Sequence, residues 1–332
     1  MLVWERGVTL TEDFSTQYTG KTVAITGAGG YLAPAILDAL GPHPDRIFLV
    51  SGQELPGKSG VVNIQADIRA ADCWQEIVTS ADVIFHLASN TSVYAASEDP
   101  VGCLDSTVKP VSQLVCAAQV LTRQPRVVIA STVTQYGITN DLPVSEKSPQ
   151  HPITNYDLQK MFSEKQLLLA SSQGVLEGVS LRLGNVYGPS SNTNASGDRG
   201  VLNKISRLAL KGTKLQVYGD GNYIRDYVHI NDVARAFLAA GVSESVVGHP
   251  FNIASGQGVT IRDAFRLVAE RAEAITGRKV AIKNIPWPIG AEAIECRNFV
   301  ADINAIKLAT GWSPLISFEY GVEQMIHNLM PK

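Results

Sequence analysis

Two side chains near the middle of the chain have the types and spacing for proton transfer. Tyr156 and Lys160 bound the sequence YDLQK. On a helix, residues four apart share a face, so the phenol and the ammonium would point the same way. A free phenol, with a pKa of about 10, is a poor base at neutral pH. An adjacent lysine favours the phenolate. A YxxxK sequence alone is common and also describes a surface pair. Position adds to it: about 24 residues upstream, a β-branched run ends in Ser131-Thr132. The Thr132 hydroxyl can donate to the same oxygen that Tyr156 would deprotonate. Thr132, Tyr156 and Lys160 could thus take a proton from a substrate hydroxyl and return it.

A second constellation stands near the start. The sequence TGAGGYLA, from Thr26 to Ala33, directly follows the run KTVAIT at 21–26. Small residues at 27, 30 and 33 let the backbone turn tightly, approach a pyrophosphate and pack the following helix on the strand. The helix N-terminus then offers unpaired N–H groups to phosphate. Pro34 falls in the first turn, where its missing N–H costs little. A glycine-rich turn alone is weak; after a first strand and before a helix it points to a dinucleotide held by Gly27, Gly29, Gly30, Tyr31 and Leu32. The second strand ends Leu49-Val50-Ser51-Gly52-Gln53. NAD-preferring sites usually carry an acid there for the ribose hydroxyls. Ser51 can bond a ribose hydroxyl without repelling a 2′-phosphate, and no arginine stands beside it to attract one. NAD and NADP both stay open, with NAD favoured by that missing arginine. Asp67-Ile68 after the third strand either hold the adenine edge or form a turn.

Such residues need a scaffold that brings strand ends together. The first half alternates strand-like runs at 21–26, 46–51, 61–67, 82–88, 126–132 and 179–183 with helix-like stretches ending near Leu40 and spanning 105–121 and 155–172. The strands are near-continuous apolar runs, which suits a parallel sheet buried on both faces. Alternation with helices implies right-handed βαβ crossovers. The second half changes character. A polar, glycine-rich stretch at 189–200 reads as a loop, followed by helices near 201–211, 232–240, 261–276 and 303–310. Short strands at 216–218 and 251–254 lie between them. The predicted fold class is α/β: a Rossmann-type doubly wound parallel sheet over 18–184, with a return segment near 223–243. A smaller C-terminal α/β lobe over 185–332 would hold the substrate.

Composition narrows the function. With 332 residues, 45% hydrophobic and 18% charged, a substantial core is affordable. A formal charge of −3 supplies no basic field for nucleic acid or an anionic membrane, so an anionic substrate would need local arginines. Cys73, Cys103, Cys116 and Cys296 are scattered, without a CxxC pair or ligand-like cluster. They read as reduced, buried thiols of a cytoplasmic protein rather than disulfides or metal ligands. The N-terminal MLVWERGVTLTEDF lacks a signal-peptide core, and no apolar run approaches a membrane span.

Taken in order, the motifs resemble the extended short-chain dehydrogenase/reductase family, in its nucleotide-sugar epimerase/dehydratase branch. They are TGAGGYLA, QADI, FHLAS, STVTQYG, Tyr156/Lys160, RLGNVYGP, GDGNYIRDYVHINDVA, FNIASG and ATGWSP, spread over residues 21–330. The resemblance implies that Thr132 polarises the sugar oxygen and that Tyr156 is the acid/base. Lys160 would hold the nicotinamide ribose and lower the tyrosine pKa. It further implies that Leu87, Ala88 and Ser89 line the cofactor. Arg225 and Arg297 would grip the diphosphate of a nucleoside-diphosphate sugar, bidentately where geometry allows. Asn185 would bond the diphosphate or sugar, and Gln216 and Tyr218 would flank the base. A surface ion pair is the competing reading of Arg297, while His86 and His229 read as packed, structural histidines. Helices near 105–121 and 155–172 would pair across a two-fold axis into a homodimer.

Departures from the family pattern discriminate between activities. Sugar dehydratases of the family carry Asp-Glu directly after the threonine, and decarboxylating relatives keep the Glu; here Val133 and Thr134 stand there. That leaves an epimerase, acting at a sugar carbon such as C4, or a 4-ketosugar reductase. A non-catalytic dinucleotide sensor is a third reading, opposed by retention of both Tyr156 and Lys160. Thr107-Val108-Lys109-Pro110 replaces an Asn/Gly pattern and would alter a helix entry near the nicotinamide.

Overall fold

The computed structural model describes residues 13–189 and 200–330. Six strands open the chain: β1 (Thr22–Thr26), β2 (Arg46–Ser51), β3 (Val61–Gln65), β4 (Val83–His86), β5 (Arg126–Thr132) and β6 (Glu177–Leu183). Between them run α1 (Ala33–Leu40), α2 (Ala71–Ser80), α3 (Val93–Glu98), α4 (Pro100–Ala118) and α5 (Asn155–Ser172). The chain continues through β7 (Asn185–Tyr187), α6 (Val201–Leu210), β8 (Leu215–Tyr218), β9 (Ile224–His229), α7 (Ile230–Val242) and β10 (Pro250–Ile253). It closes with β11 (Gly258–Thr260), α8 (Ile261–Thr276), β12 (Ile282–Ile285), α9 (Asn304–Thr310) and α10 (Phe318–Asn328).

Seven strands form one parallel sheet in the order β10-β6-β5-β4-β1-β2-β3. Sequence order reverses between β1 and β4, leaving a crevice at their C-terminal ends, the usual ligand site of an open α/β sheet. One face is covered by α1 and α7, and its core includes Ile25, Ile36, Phe85 and Phe237. The other is covered by α2, α4 and α5 around Trp74, Ile84, Leu114 and Leu167. Burial on both faces explains why β1, β2, β4 and β5 read as unbroken apolar runs. β3 is different. As an edge strand it leaves Val62, Asn63 and Gln65 exposed and stops two residues before the expected Asp67.

The second lobe holds two small sheets, β11-β9-β7 and β12-β8, packed with α6, α8 and α10. Its own core centres on Leu215, Tyr227, Phe265 and Met325. The chain returns to the first lobe beyond 223–243, because β10 pairs with β6 as the seventh strand of the large sheet.

Two expected elements differ. The helix predicted at 105–121 begins at Pro100, where proline occupies the first turn and Asp99 caps the Gly102 N–H at 2.9 Å. Thr107–Pro110 therefore lies inside α4 and not at a helix entry. The loop expected at 189–200 and the N-terminal residues 1–12 fall almost entirely outside the described residues. Among the described residues, no helix is long and apolar enough to cross a membrane. None of their His, Cys, Asp and Glu side chains cluster in threes as a metal site would require, and of the four cysteines expected to be buried only Cys103 is, Cys73 being half-buried and Cys116 and Cys296 exposed.

Candidate active site

The glycine-rich turn sits at the crevice because β1 delivers it there. Gly27 has φ +70°, and a Cβ at this position would lie 2.7 Å from the Ala88 nitrogen just past β4. Only glycine permits both the conformation and the approach. The Gly30 N–H donates to the Gly27 carbonyl at 2.8 Å, closing the turn, and Ala33 and Pro34 then open α1 without any side-chain cap. The first N–H groups of that helix are thus available to an anion.

Two adjoining clefts follow. One, of about 280 Å³, is lined by Gly27, Gly30, Tyr31, Leu32, Leu87, Ser89, Thr132, Tyr156 and Lys160. The other, of about 730 Å³, is bounded by Gly52, the 65–69 segment, Asn90 and Ser106. Ser89 lines both. Together they make a trough running from the β2 and β3 ends, across the turn, to the tyrosine, an outline that fits an extended dinucleotide. Beside it, at the end of β2, Ser51 is buried and lines neither cleft, and its hydroxyl accepts from the Gln53 N–H at 3.2 Å. Asp67 and Ile68 line the wider cleft. Asp67 is paired with Arg69 at 2.7 Å, and those hydrogen bonds hold its carboxyl down at about 2.

Thr132, Tyr156 and Lys160 converge on the narrower cleft. Thr132 ends β5, while Tyr156 and Lys160 stand one turn apart on α5, whose start is fixed by Thr154 accepting from the Asp157 N–H at 3.2 Å. Burial drives the Tyr156 phenol up to about 12, opposed by the polar Thr132 hydroxyl beside it. Lys160 is buried and donates to Ser89 Oγ at 2.5 Å and to the Ala130 carbonyl at 2.9 Å. Desolvation depresses its ammonium to about 8. Beneath it, buried His86 shares a 2.7 Å hydrogen bond with Thr26 and is pushed down to about 3 by burial. His229 is likewise buried, pressed to about 4, and caps α7 at Asn231.

The second lobe supplies the arginines. Arg225 on β9 is 4% exposed and Arg297 6%, so the surface-pair reading of Arg297 is incorrect: the turn at 293–296 folds it inward. Arg225 donates to the carbonyls of Ile224, Arg297 and Glu295, the last at 2.6 Å. Arg297 donates to the Ile294 carbonyl at 2.9 Å, while its buried Nε has no partner. Burial and the neighbouring Arg225 press Arg297 down to about 10. Asn185 begins β7, and its side-chain oxygen is buried and unsatisfied. Gln216 and Tyr218 lie on exposed positions of β8, with Tyr218 stacked on Trp287 at 5.1 Å between ring centroids.

Three residues escaped the sequence reading. Asp157, next to the tyrosine, is fully buried; its place inside YDLQK was visible, but periodicity gave no sign that an acid would face inward. Arg69 and Trp287 come from loops whose partners are set only by tertiary folding.

Residues 23–254 match the NAD dependent epimerase/dehydratase family. The UDP-glucose 4-epimerase of Mycolicibacterium smegmatis is 27% identical over 314 residues, covering 91% of this chain and 96% of its own. The UDP-N-acetyl-alpha-D-glucosaminuronate decarboxylase of Bacillus cytotoxicus is 27% identical over 325 residues, covering 92% and 97%. Among solved structures, a UDP-glucose 4-epimerase from Thermotoga maritima, bound to UDP-glucose, superposes with a TM-score of 0.81 at 25% identity, over 92% of this chain and 98% of that one.

Proposed function

The chain belongs to the NAD dependent epimerase/dehydratase family, and from that premise we propose that it epimerises a nucleoside-diphosphate sugar at a ring carbon, C4 being the position its 4-epimerase relatives name. The observation that carries this reading is the convergence of Thr132, Tyr156 and Lys160 on a cleft that begins at the phosphate-binding turn. NAD bound along the trough would accept a hydride from the sugar carbon and return it. Gly27, Gly29, Gly30, Tyr31 and Leu32 would hold its diphosphate against α1, Ser51, Asp67 and Ile68 its adenosine, and Leu87, Ala88 and Ser89 its nicotinamide side.

The remaining steps belong to the chain's own residues. Tyr156 would take the hydroxyl proton as the sugar is oxidised and give it back afterwards, with Thr132 holding the same oxygen. Lys160, already desolvated, would turn its ammonium from Ser89 toward a ribose hydroxyl and favour the phenolate. Arg225, Arg297 and Asn185 would seat the diphosphate. Arg297 in particular has an unmet buried donor for it. Gln216 and Tyr218 would flank the base. Val133 is buried and apolar and Thr134 carries only a hydroxyl. Neither supplies the carboxyl that the family resemblance associates with water elimination or decarboxylation, and this supports epimerisation over either.

Assembly follows from the same helices. Val101 and Leu104 on α4, with Leu158, Phe162 and Leu169 on α5, leave an apolar stripe 47–74% exposed. Such a patch fits pairing of α4 and α5 with a second copy, in a cytoplasmic homodimer.

The deciding experiment incubates purified protein with a panel of nucleotide sugars and no added cofactor. Conversion to the epimer with no net change in NADH absorbance is expected. Stoichiometric consumption of NADH or NADPH with a 4-ketosugar would replace the reading by reduction, and binding without turnover would replace it by a sensor.

A further inference from the structure

One side chain of the glycine-rich turn reaches across into the second lobe. Tyr31 directly precedes Leu32, the N-cap of α1, and its ring is buried. The phenol donates to the Gly188 carbonyl, just past β7, at 2.7 Å. Asn203, in the first turn of α6, donates to the phenol oxygen at 3.3 Å and to the same carbonyl at 3.2 Å. Three segments distant in sequence thus share one closed set of hydrogen bonds. Burial pushes the phenol up to about 12, so it stays neutral and keeps its proton for the carbonyl.

Gly188 is held on its other side as well. Its φ is +127°, and a Cβ there would lie 2.8 Å from His229 Nε2 and 2.9 Å from the Ile230 side chain. Glycine lets this backbone settle against the end of β9 and the start of α7, so a displacement of the phenol is passed on and not absorbed. The tyrosine adds little slack of its own, having only two side-chain torsions. Three residues before Gly188 stands Asn185, whose buried side-chain oxygen has no partner.

We propose that Tyr31 is a positioning residue linking the two ligand sites: a dinucleotide that fixes the glycine-rich turn also fixes, through the phenol, the Gly188 end of β7 and the first turn of α6. This linkage rests on the turn being the dinucleotide site proposed above. Glycines at 27, 29 and 30 leave the backbone next to Tyr31 many conformations until an anion engages its N–H groups. Occupation removes that freedom at Tyr31, and the three hydrogen bonds carry the restriction to Gly188 and Asn203. Asn185 is then ordered before the nucleoside-diphosphate sugar arrives. Ordering paid for by one ligand favours the second, and the coupling is reciprocal.

The test is amide hydrogen exchange of the whole protein, without NAD and with NAD at a concentration that saturates each variant. In the wild type, NAD should slow exchange in the turn and also, by roughly 5-fold, at 185–188 and 201–204. Tyr31→Phe keeps the ring and deletes the hydroxyl. The turn should still respond to NAD, while the response at both distant segments disappears. Asn203→Ala leaves the phenol's own bond to Gly188, so the response should survive at 185–188 and vanish at 201–204. A merely structural role would raise exchange with and without NAD alike and leave the NAD-dependent difference intact. An undiminished difference at both segments in Tyr31→Phe, or at 201–204 in Asn203→Ala, overturns the proposal. If Tyr31→Phe fails to fold, Asn203→Ala decides alone. In the wild type, protection of the turn without the distant segments overturns the linkage and leaves the dinucleotide reading standing; protection of neither overturns both.

Discussion

Lys160 and Arg297 are both buried cations, one lining the narrower cleft and the other in the second lobe, and their surroundings differ. Lys160 projects from a long helix onto the central strands, and two acceptors already receive its protons. Arg297 hangs from a short turn, beside a second arginine, with main-chain carbonyls as partners and one donor unmet. The first arrangement already has two hydrogen-bond acceptors for the ammonium. The second is strained by like charge and would be relieved by an anion. On the proposed function, chemistry would be built into the large sheet, while recognition would rest on an electrostatic deficit in the smaller lobe.

The sharpest way to break this division is at the phenol. Tyr156→Phe keeps ring and packing but removes the proton-transfer oxygen, so turnover should fall by at least ~10²-fold, with cofactor affinity and thermal stability nearly unchanged. Near-normal turnover in a steady-state assay would remove the tyrosine from the chemistry. Arg297→Met and Arg225→Ala address the other side. Each would delete the charge-assisted contact to the diphosphate proposed above, which should raise KM by roughly 10- to 100-fold with a much smaller effect on kcat. A loss confined to kcat would place the arginines with the chemistry instead. Arg297→Met should also relieve the like-charge contact and raise the melting temperature of the ligand-free protein by a few degrees, for about 1 kcal/mol. A lowered melting temperature would show that the arginine stabilises the free fold.

A pH experiment sharpens the contrast further. Lys160 is depressed from 10.5 to about 8 in the folded protein. Between those values the unfolded chain binds the extra proton, so this group makes stability rise with pH from about 8 to 10.5. Below pH 8 its buried charge is a standing cost. Dinucleotide affinity should move the opposite way, weakening above about pH 8 as the ammonium is lost, and Lys160→Met should abolish that step in a binding titration. The smallest effect belongs to the cofactor's far end. Ser51→Asp should weaken NADP binding while keeping NAD, because a carboxylate would face the 2′-phosphate. Equal loss for both cofactors would dissociate Ser51 from the ribose.

Much of the first lobe was legible because burial on both faces leaves a plain signature. β2, β5 and α5 fall on the expected residues, and the glycine turn and YxxxK pair line one cleft. Legibility failed where local pattern and tertiary role part. β3 is an edge strand and ends early; α4 starts at Pro100 because a proline suits a first turn better than an interior one, although Pro110 is accommodated as well. The inward turn of Arg297 and the burial of Asp157 depend on which segments meet across the lobes, and no spacing within either segment encodes that. Short β10, an isolated PFNI run, gave no hint that it would complete the large sheet.

That last strand has a consequence for synthesis. α7 and β10 are made after α6 and β8, yet they cover one face and one edge of the sheet begun at residue 22. A nascent chain that has reached Leu183 holds six strands with β6 unpaired along one side and much of the apolar surface around Ile25 and Phe85 uncovered. Such an intermediate is a template for misassociation. The large sheet is therefore incomplete until residue 253 has been made, and the core on that face until Trp312.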